Sequence, residues 1–181
     1  MAEVTDFTQF TDFTAFVRAH STTLLRSAFL LTGELAAAED LVQDTFLRLL
    51  PRWSKVAAAD VPLAYVRRSM TNNFLNGRRR RAGHEMLFAD PPERGYDSDQ
   101  AGLLSDREVV RGLLASLPPK QRAVLVLRFY DDLSDAQIAA DLGCRQGTVR
   151  SIVSRSLATL RAETERRSRP RDISPTNGNL R

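Results

Sequence analysis

The stretch LSDAQIAADLGCRQGTVRSIVSRSLATLR, residues 133–161, decides the fold. Ser134 followed three residues later by Gln137 is the signature of a capping box, in which each end of the pair satisfies an orphan N–H of the first helical turn. The helix it opens carries Ile138, Ala139 and Leu142 on one side, and Gly143 supplies the turn that ends it. A second helix follows in which Val149, Ile152, Val153, Ser156 and Leu160 fall on one face at a period of 3.6. The opposite face holds Arg150, Ser151, Ser154, Arg155, Ala158 and Arg161. Two short helices, a tight glycine turn, a small residue at their crossing and a polar-basic outer face make a helix-turn-helix. A solvated helical hairpin shares most of these features, and the motif alone serves repressors and activators equally.

Outward from this motif, apolar residues recur at helical spacing almost everywhere and strand-like alternation is missing, so the chain is expected to be all-α. Further helices are predicted at about 106–116 and 118–130. The first helix of the chain is expected at about 10–31, with Phe13, Phe16, Val17, His20, Leu24, Ala28 and Leu31 inward and Gly33 just past its end. His20 then sits at the edge of a core. A second helix spans about 34–52, closed by Pro51, and a third about 62–81, opened by Pro62. The loop between them, SKVAAAD, is expected to be exposed. Residues 83–106 lack periodicity, are rich in Asp, Pro, Gly and Ser, and carry more acids than arginines, which reads as a flexible acidic linker. The end of the chain, RRSRPRDISPTNGNLR, has no apolar face and is expected to be disordered.

This gives two small helical domains: a three-helix bundle over 10–81 and a four-helix unit with the helix-turn-helix over 106–163. The linker is 82–105 and the tail 164–181. With 181 residues there is no room for an α/β barrel. Lys+Arg total 26 against 22 Asp+Glu, and all but Lys55 and Lys120 of the basic residues are arginine, whose planar fork suits phosphate and base edges. A codon bias toward arginine would write the same composition. Cys144 is the single cysteine, which excludes an internal disulfide and fits a reducing cytoplasm. No Cys/His cluster has metal-ligand spacing, so neither a metal nor a cofactor is expected. Neither a signal segment nor a long apolar run is evident, which disfavours secretion and a membrane association. No triad, phosphate loop or carboxylate pair marks an enzyme.

Two helix faces invite a partner. On the second helix Ala38, Leu41, Val42, Thr45, Phe46, Leu49 and Trp53 read as core, leaving Asp40, Gln43, Asp44 and Leu47 outside. An outward leucine among acids marks either a contact surface or an ordinary exposed side chain. On the third helix Leu63, Val66, Met70 and Phe74 point inward, while Tyr65, Arg68, Ser69, Asn72, Asn76 and Arg79 line the outer face. Aromatic, amide and guanidinium groups at this spacing can stack on bases and hydrogen-bond their edges, and the run Arg78–Arg81 adds phosphate contacts.

Three segments in order, AAEDLVQDTFLRLLPRW (37–53), AYVRRSMTNNFLN (64–76) and the stretch 117–161 that contains the helix-turn-helix, resemble the extracytoplasmic-function group of the sigma-70 family, most closely its actinobacterial SigE-like branch. The resemblance implies an alternative sigma factor without catalysis of its own, which recruits core RNA polymerase to particular promoters. It implies that Asp40, Gln43, Asp44 and Leu47 bind the clamp coiled coil of the largest polymerase subunit, and that the flap region is also contacted. It implies capture of the −10 non-template strand through Tyr65, Arg68, Asn72, Asn76 and Arg79. Reading of the −35 duplex falls to Arg150, Ser151, Ser154 and Arg155. An anti-sigma protein is a further candidate partner. Arg145 and Gln146 stand where relatives often carry Ser or Pro and then Val, so the recognition helix lacks an evident cap, and Ile152 replaces a frequent arginine at the edge of the core. A free-standing repressor or activator is the competing reading, although no dimerisation helix or ligand domain is evident. An anti-sigma or RNA-binding scaffold is the third.

Overall fold

The computed structural model describes residues 4–85 and 106–168, with side chains described over 12–77 and 108–168. Those residues form helices and turns without a strand. The N-terminal lobe comprises α1 (Val4–Thr32), α2 (Leu35–Leu49), a 3₁₀ turn (Leu50–Arg52), α3 (Trp53–Ala57) and α4 (Pro62–Glu85); the C-terminal lobe comprises α5 (Asp106–Ala115), α6 (Pro119–Phe129), α7 (Asp135–Leu142) and α8 (Gln146–Ser168).

α1 begins earlier than its periodicity indicates and ends as expected. Gly33 adopts φ 84, a left-handed backbone that glycine reaches without a Cβ clash, and its N–H closes on the Phe29 carbonyl at 2.8 Å. Leu24, Ala28 and Leu31 are buried against α2 and α4. His20 does lie at the core edge, its ring 4.5 Å from that of Phe16.

The second predicted helix ends close to Pro51 as expected, its last residues forming a 3₁₀ turn. Proline at 51 cannot donate to the ladder, so the chain tightens into the 3₁₀ turn and restarts as α3. This restart makes Ser54–Ala57 helical where SKVAAAD is expected to be a loop, and it buries Val56, while Ser54, Lys55, Ala57, Ala58 and Asp60 are exposed as expected. Trp53 and Val56, one turn apart, both face inward at 2% and 0% exposure. Phe13 and Phe16 meet the Trp53 ring edge-on at 5.0 and 4.9 Å, an aromatic cluster whose truncation at Trp53 would cost roughly 3–5 kcal/mol.

α4 also runs past its expected end, through Glu85, and α8 runs through Ser168, five residues into the segment expected to be disordered. Residues 86–105 and 169–181, which hold most of the expected linker and tail, lie outside the described residues.

In the C-terminal lobe Val124, Leu127, Leu133, Ile138, Ala139, Val149 and Ile152 form one core. The capping box is present: Gln137 N–H donates to Ser134 Oγ at 3.3 Å, and Ser134 N–H donates to Gln137 Oε1 at 2.9 Å. Ser156 is buried at the α8 face, and its hydroxyl donates to the Ile152 carbonyl at 2.7 Å, so its burial leaves the donor satisfied.

The two lobes are packed against each other. Ala123 and Val126 of α6 belong to the core of the N-terminal lobe, while Val124 and Leu127 of the same helix belong to the other core. Every residue from Arg122 to Leu127 is buried, as expected of a helix apolar on all sides.

Candidate nucleic-acid interface

The helix-turn-helix is α7, the turn at Gly143 (φ 61) and α8. Burial of Val149, Ile152 and Ser156 fixes the rotation of α8, and Arg150, Ser151, Ser154 and Arg155 are consequently all exposed on one face. Ile152 is 6% exposed, which places it in the core as its position on the wheel indicates. Two of the outward side chains are held by their own helix: Ser151 Oγ donates to the Gly147 carbonyl at 2.9 Å, and Arg155 Nε to the Ser151 carbonyl at 3.2 Å.

Arg150 is oriented from another helix. Its Nε donates to Asp135 Oδ2 at 3.1 Å, and Asp135 Oδ1 also receives Arg128 from the end of α6 at 3.4 Å. Ion pairs this exposed contribute little stability, about 0–1 kcal/mol; their effect is to hold two guanidinium planes in place before a partner arrives. A shallow groove of about 400 Å³ opens here, lined by Arg128, Asp135, Arg150, Ser154 and Arg161 among others. Arg128 and Asp135 were not among the sequence candidates. The only sequence sign of Arg128 is that it follows the apolar run of α6, and nothing in the period of α8 points to it.

On α4, burial of Val66, Met70 and Phe74 turns Tyr65, Arg68 and Asn76 to solvent, with Ser69 and Asn72 half-buried between them. Asn72 and Asn76 are one turn apart, so the two amides lie on one face. The side chains of Arg78–Arg81, Arg79 included, lie outside those described. The half-burial of Arg67, on the flank of the same helix, was not anticipated. Asp141 of α7 faces this region: burial pushes its carboxyl above the usual carboxylate value, and the charges of Arg68 and then Arg67 pull it back.

On α2, Asp40, Gln43, Asp44 and Leu47 are all exposed, opposite the buried Ala38, Leu41, Val42 and Thr45. Leu47 is 67% exposed, and Leu35 at the start of the same helix is 55% exposed. Among the described residues no group of His, Cys, Asp and Glu could hold a metal ion, and no helix is long and apolar enough to cross a membrane.

A helical protein with a basic helix-turn-helix in one lobe and an amide-lined helix in the other has the architecture of a nucleic-acid-binding protein. Family models describe both lobes: sigma-70 region 2 matches residues 16–84 and sigma-70 region 4 matches residues 107–160. The RNA polymerase sigma-E factor of Streptomyces avermitilis is 38% identical over 152 residues, covering 84% of each chain. That of Streptomyces coelicolor is 36% identical over 163 residues, covering 90% of this chain and 88% of the relative. Among solved structures, the sigma factor RpoE of Bartonella quintana, in complex with the anti-sigma factor NepR, shares the fold at a TM-score of 0.68 and 24% identity. That alignment covers 85% of this chain and 97% of that one. The chain belongs to the sigma-70 family and is an alternative sigma factor of its extracytoplasmic-function group.

Proposed function

We propose that this sigma factor joins core RNA polymerase and directs it to promoters through three separate faces, with region 2 over residues 10–81 and region 4 over 106–163. The exposed Asp40, Gln43, Asp44 and Leu47 of α2 dock on the clamp coiled coil of the largest subunit, and region 4 meets the flap region. Tyr65, Arg68, Asn72, Asn76 and Arg79 of α4 capture unstacked −10 bases. Amides supply both donor and acceptor for base edges, while arginines anchor the backbone. Arg150, Ser151, Ser154 and Arg155 read the −35 duplex in the major groove. The factor performs no chemistry of its own: the polymerase supplies the active site. It works in the cytoplasm, and an anti-sigma protein is a further partner, a reading supported by the solved complex of RpoE with NepR.

The observation that carries this reading is the rotation of α8. Burying Val149, Ile152 and Ser156 leaves the whole polar-basic face of the recognition helix free on a chain that matches both sigma regions. The test is transcription in vitro with purified core polymerase. Promoter-specific transcripts that require this chain, and that weaken in Arg150→Ala and Arg155→Ala, are expected. A loss of about 1–3 kcal/mol per base contact corresponds to roughly five- to over a hundredfold. A specific footprint by the chain alone, with no effect on polymerase, would instead favour a free-standing regulator.

A further inference from the structure

The end of α6, the start of α7 and an early turn of α8 meet at one carboxylate. Asp135 is the first residue of α7, and its side chain is 21% exposed, against 40% for Arg128 and 70% for Arg150. Its Oδ2 accepts from Arg150 Nε at 3.1 Å, and its Oδ1 lies 3.4 Å from Arg128 Nη1. Arg128 is itself fixed from a third side, Nη1 donating to the Leu133 carbonyl at 3.2 Å. Support therefore runs from the turn before α7, through Arg128 and Asp135, to Arg150 on the recognition helix. Arg155 of the same face is tied instead to its own helix, at the Ser151 carbonyl.

We propose that Asp135 is a specificity-determining positioning residue of region 4, which aims Arg150 at a base edge and lowers the affinity of the same face for DNA of any sequence. The proposal rests on the reading of α8 as the −35 helix given above. An arginine recognises a base by offering two parallel donors, and guanine, with O6 and N7, presents the edge that matches them. Asp135 engages Nε, on the side of the guanidinium, so the terminal Nη pair is left to donate end-on. A long side chain loses rotamer freedom when it docks. Holding Arg150 before DNA arrives removes part of that cost for the base-directed pose and for no other.

The same carboxylate works against indiscriminate binding. Phosphates supply most of the sequence-independent affinity for a duplex. One carboxylate between two guanidiniums cancels part of their positive charge, and an arginine that swings to a phosphate has to leave Asp135 first. Asp135 thus lowers affinity and raises discrimination together. An acid in the first turn also favours α7 through the helix dipole, but that structural effect would touch every base position alike.

The experiment uses holoenzyme reconstituted from core polymerase and the full chain, with a pool of promoter duplexes randomised across the −35 element, and sequences the bound fraction. Arg150→Ala and Arg155→Ala should each erase the preference at the positions that arginine reads, which assigns the positions. Asp135→Ala should weaken the Arg150 preference by about fivefold or more, the low end of one bidentate base contact, and leave the Arg155 preference as it is. Binding to a promoter with a scrambled −35 element should meanwhile tighten by roughly two- to fivefold, the weight of one exposed charge pair. The slope of log affinity on log salt should steepen by about one unit. Asp135→Glu, which keeps the charge, should return the scrambled promoter to wild-type affinity. Arg128→Met should weaken the Arg150 preference too, while loosening rather than tightening the scrambled promoter. Circular dichroism checks that each variant is folded. An Arg150 preference within about twofold of wild type in folded Asp135→Ala, or an equal loss at every −35 position, overturns the positioning role. Unchanged or weaker binding of the scrambled promoter by Asp135→Ala overturns the charge effect. If Arg150→Ala itself leaves every −35 preference intact, the assignment of Arg150 to the −35 element falls first, and the proposal with it.

Discussion

Replacing Arg122 with methionine tests how much one guanidinium holds together. Arg122 is 4% exposed, and besides its bond to Leu31 it donates through Nη2 to the Ala115 carbonyl at 2.8 Å and the Leu117 carbonyl at 3.2 Å. Leu31 and Ala115 belong to the last turns of α1 and α5, where carbonyls have no partner within the helix and carry the negative end of its dipole. One cation therefore caps two helices. Methionine keeps most of the stem's packing volume but leaves these carbonyls to find water or go unsatisfied, at about 1–3 kcal/mol for each that stays buried. Loss of the guanidinium's own desolvation penalty offsets part of this, so the net cost is about 3 kcal/mol rather than the sum. With a urea slope of about 2 kcal/mol per molar, the midpoint by circular dichroism should fall by about 1.5 M. Trp53, the single tryptophan, lies in the other lobe, and its fluorescence should show a smaller shift through the Leu31 bond alone. Arg122→Lys should recover only part of the loss, because one ammonium cannot span three carbonyls in the fixed geometry of the fork. A midpoint within about 0.25 M of wild type for Arg122→Met, or full recovery by lysine, would refute the reasoning.

Leu47→Asp, alone or with Asp44→Arg, should leave the unfolding midpoint within about 0.5 kcal/mol of wild type, since both side chains are exposed, while pull-down of core polymerase is lost. Asn72→Ala and Asn76→Ala should slow opening of a fully duplex promoter in a fluorescent-base assay, each by on the order of 1 kcal/mol, and a promoter pre-opened across the −10 element should largely restore the rate. Acidification should tighten the docking of the lobes: burial raises the carboxyl pKa of both Asp131 and Asp141, against the pull of Ser27 and Arg67 on the first and of Arg68 and Arg67 on the second. The closed state thus binds protons more readily than the open one, so the carboxylates' contribution is fully present below the ordinary Asp value and is lost as pH rises through the raised one. With spin labels on Cys144 and on Ala15→Cys of α1, the short-distance population should grow from neutral toward mildly acidic pH, and Asp131→Asn with Asp141→Asn should flatten that dependence.

The parts of the molecule that were legible in the sequence are those set by neighbours along the chain. The capping box needs only residues 134 and 137, and the rotation of α8 needs only the 3.6 period of Val149, Ile152 and Ser156, so both are in place. The outward faces of α2 and α4 follow from the same periodicity, with Asn72 and Ser69 half-buried where a wheel puts them outside. The ending of α2 near Pro51 is legible, but the restart after it is not. Periodicity continues through Trp53 and Val56, and only their joint burial shows that the helix restarts. The pairing of Arg128 and Arg150 on Asp135 joins three helices and leaves no local signature. In RAVLVL, residues 122–127, apolar side chains surround the helix, and a helix buried on every side must have something on both sides.

That shared helix also limits how tightly the lobes can hold each other. Separation exposes Ala123, Val126 and the partly buried Leu114, whose transfer to water costs roughly 3–6 kcal/mol together. Breaking the hydrogen bonds from Ser27, Arg111 and Arg122 adds about 0.5–1.5 kcal/mol net for each. Against this, opening returns Asp131 and Asp141 to water, which favours their ionised forms at neutral pH. The aromatic cluster of Phe13, Phe16, Phe46 and Trp53 stays inside region 2 throughout, and the core around Ile138 and Val149 stays inside region 4. Separating the lobes therefore costs roughly 5–10 kcal/mol before that offset and melts neither lobe. Two small side chains, one partly buried leucine, three hydrogen bonds and two carboxylates desolvated by burial thus make a seam much weaker than the two cores it joins.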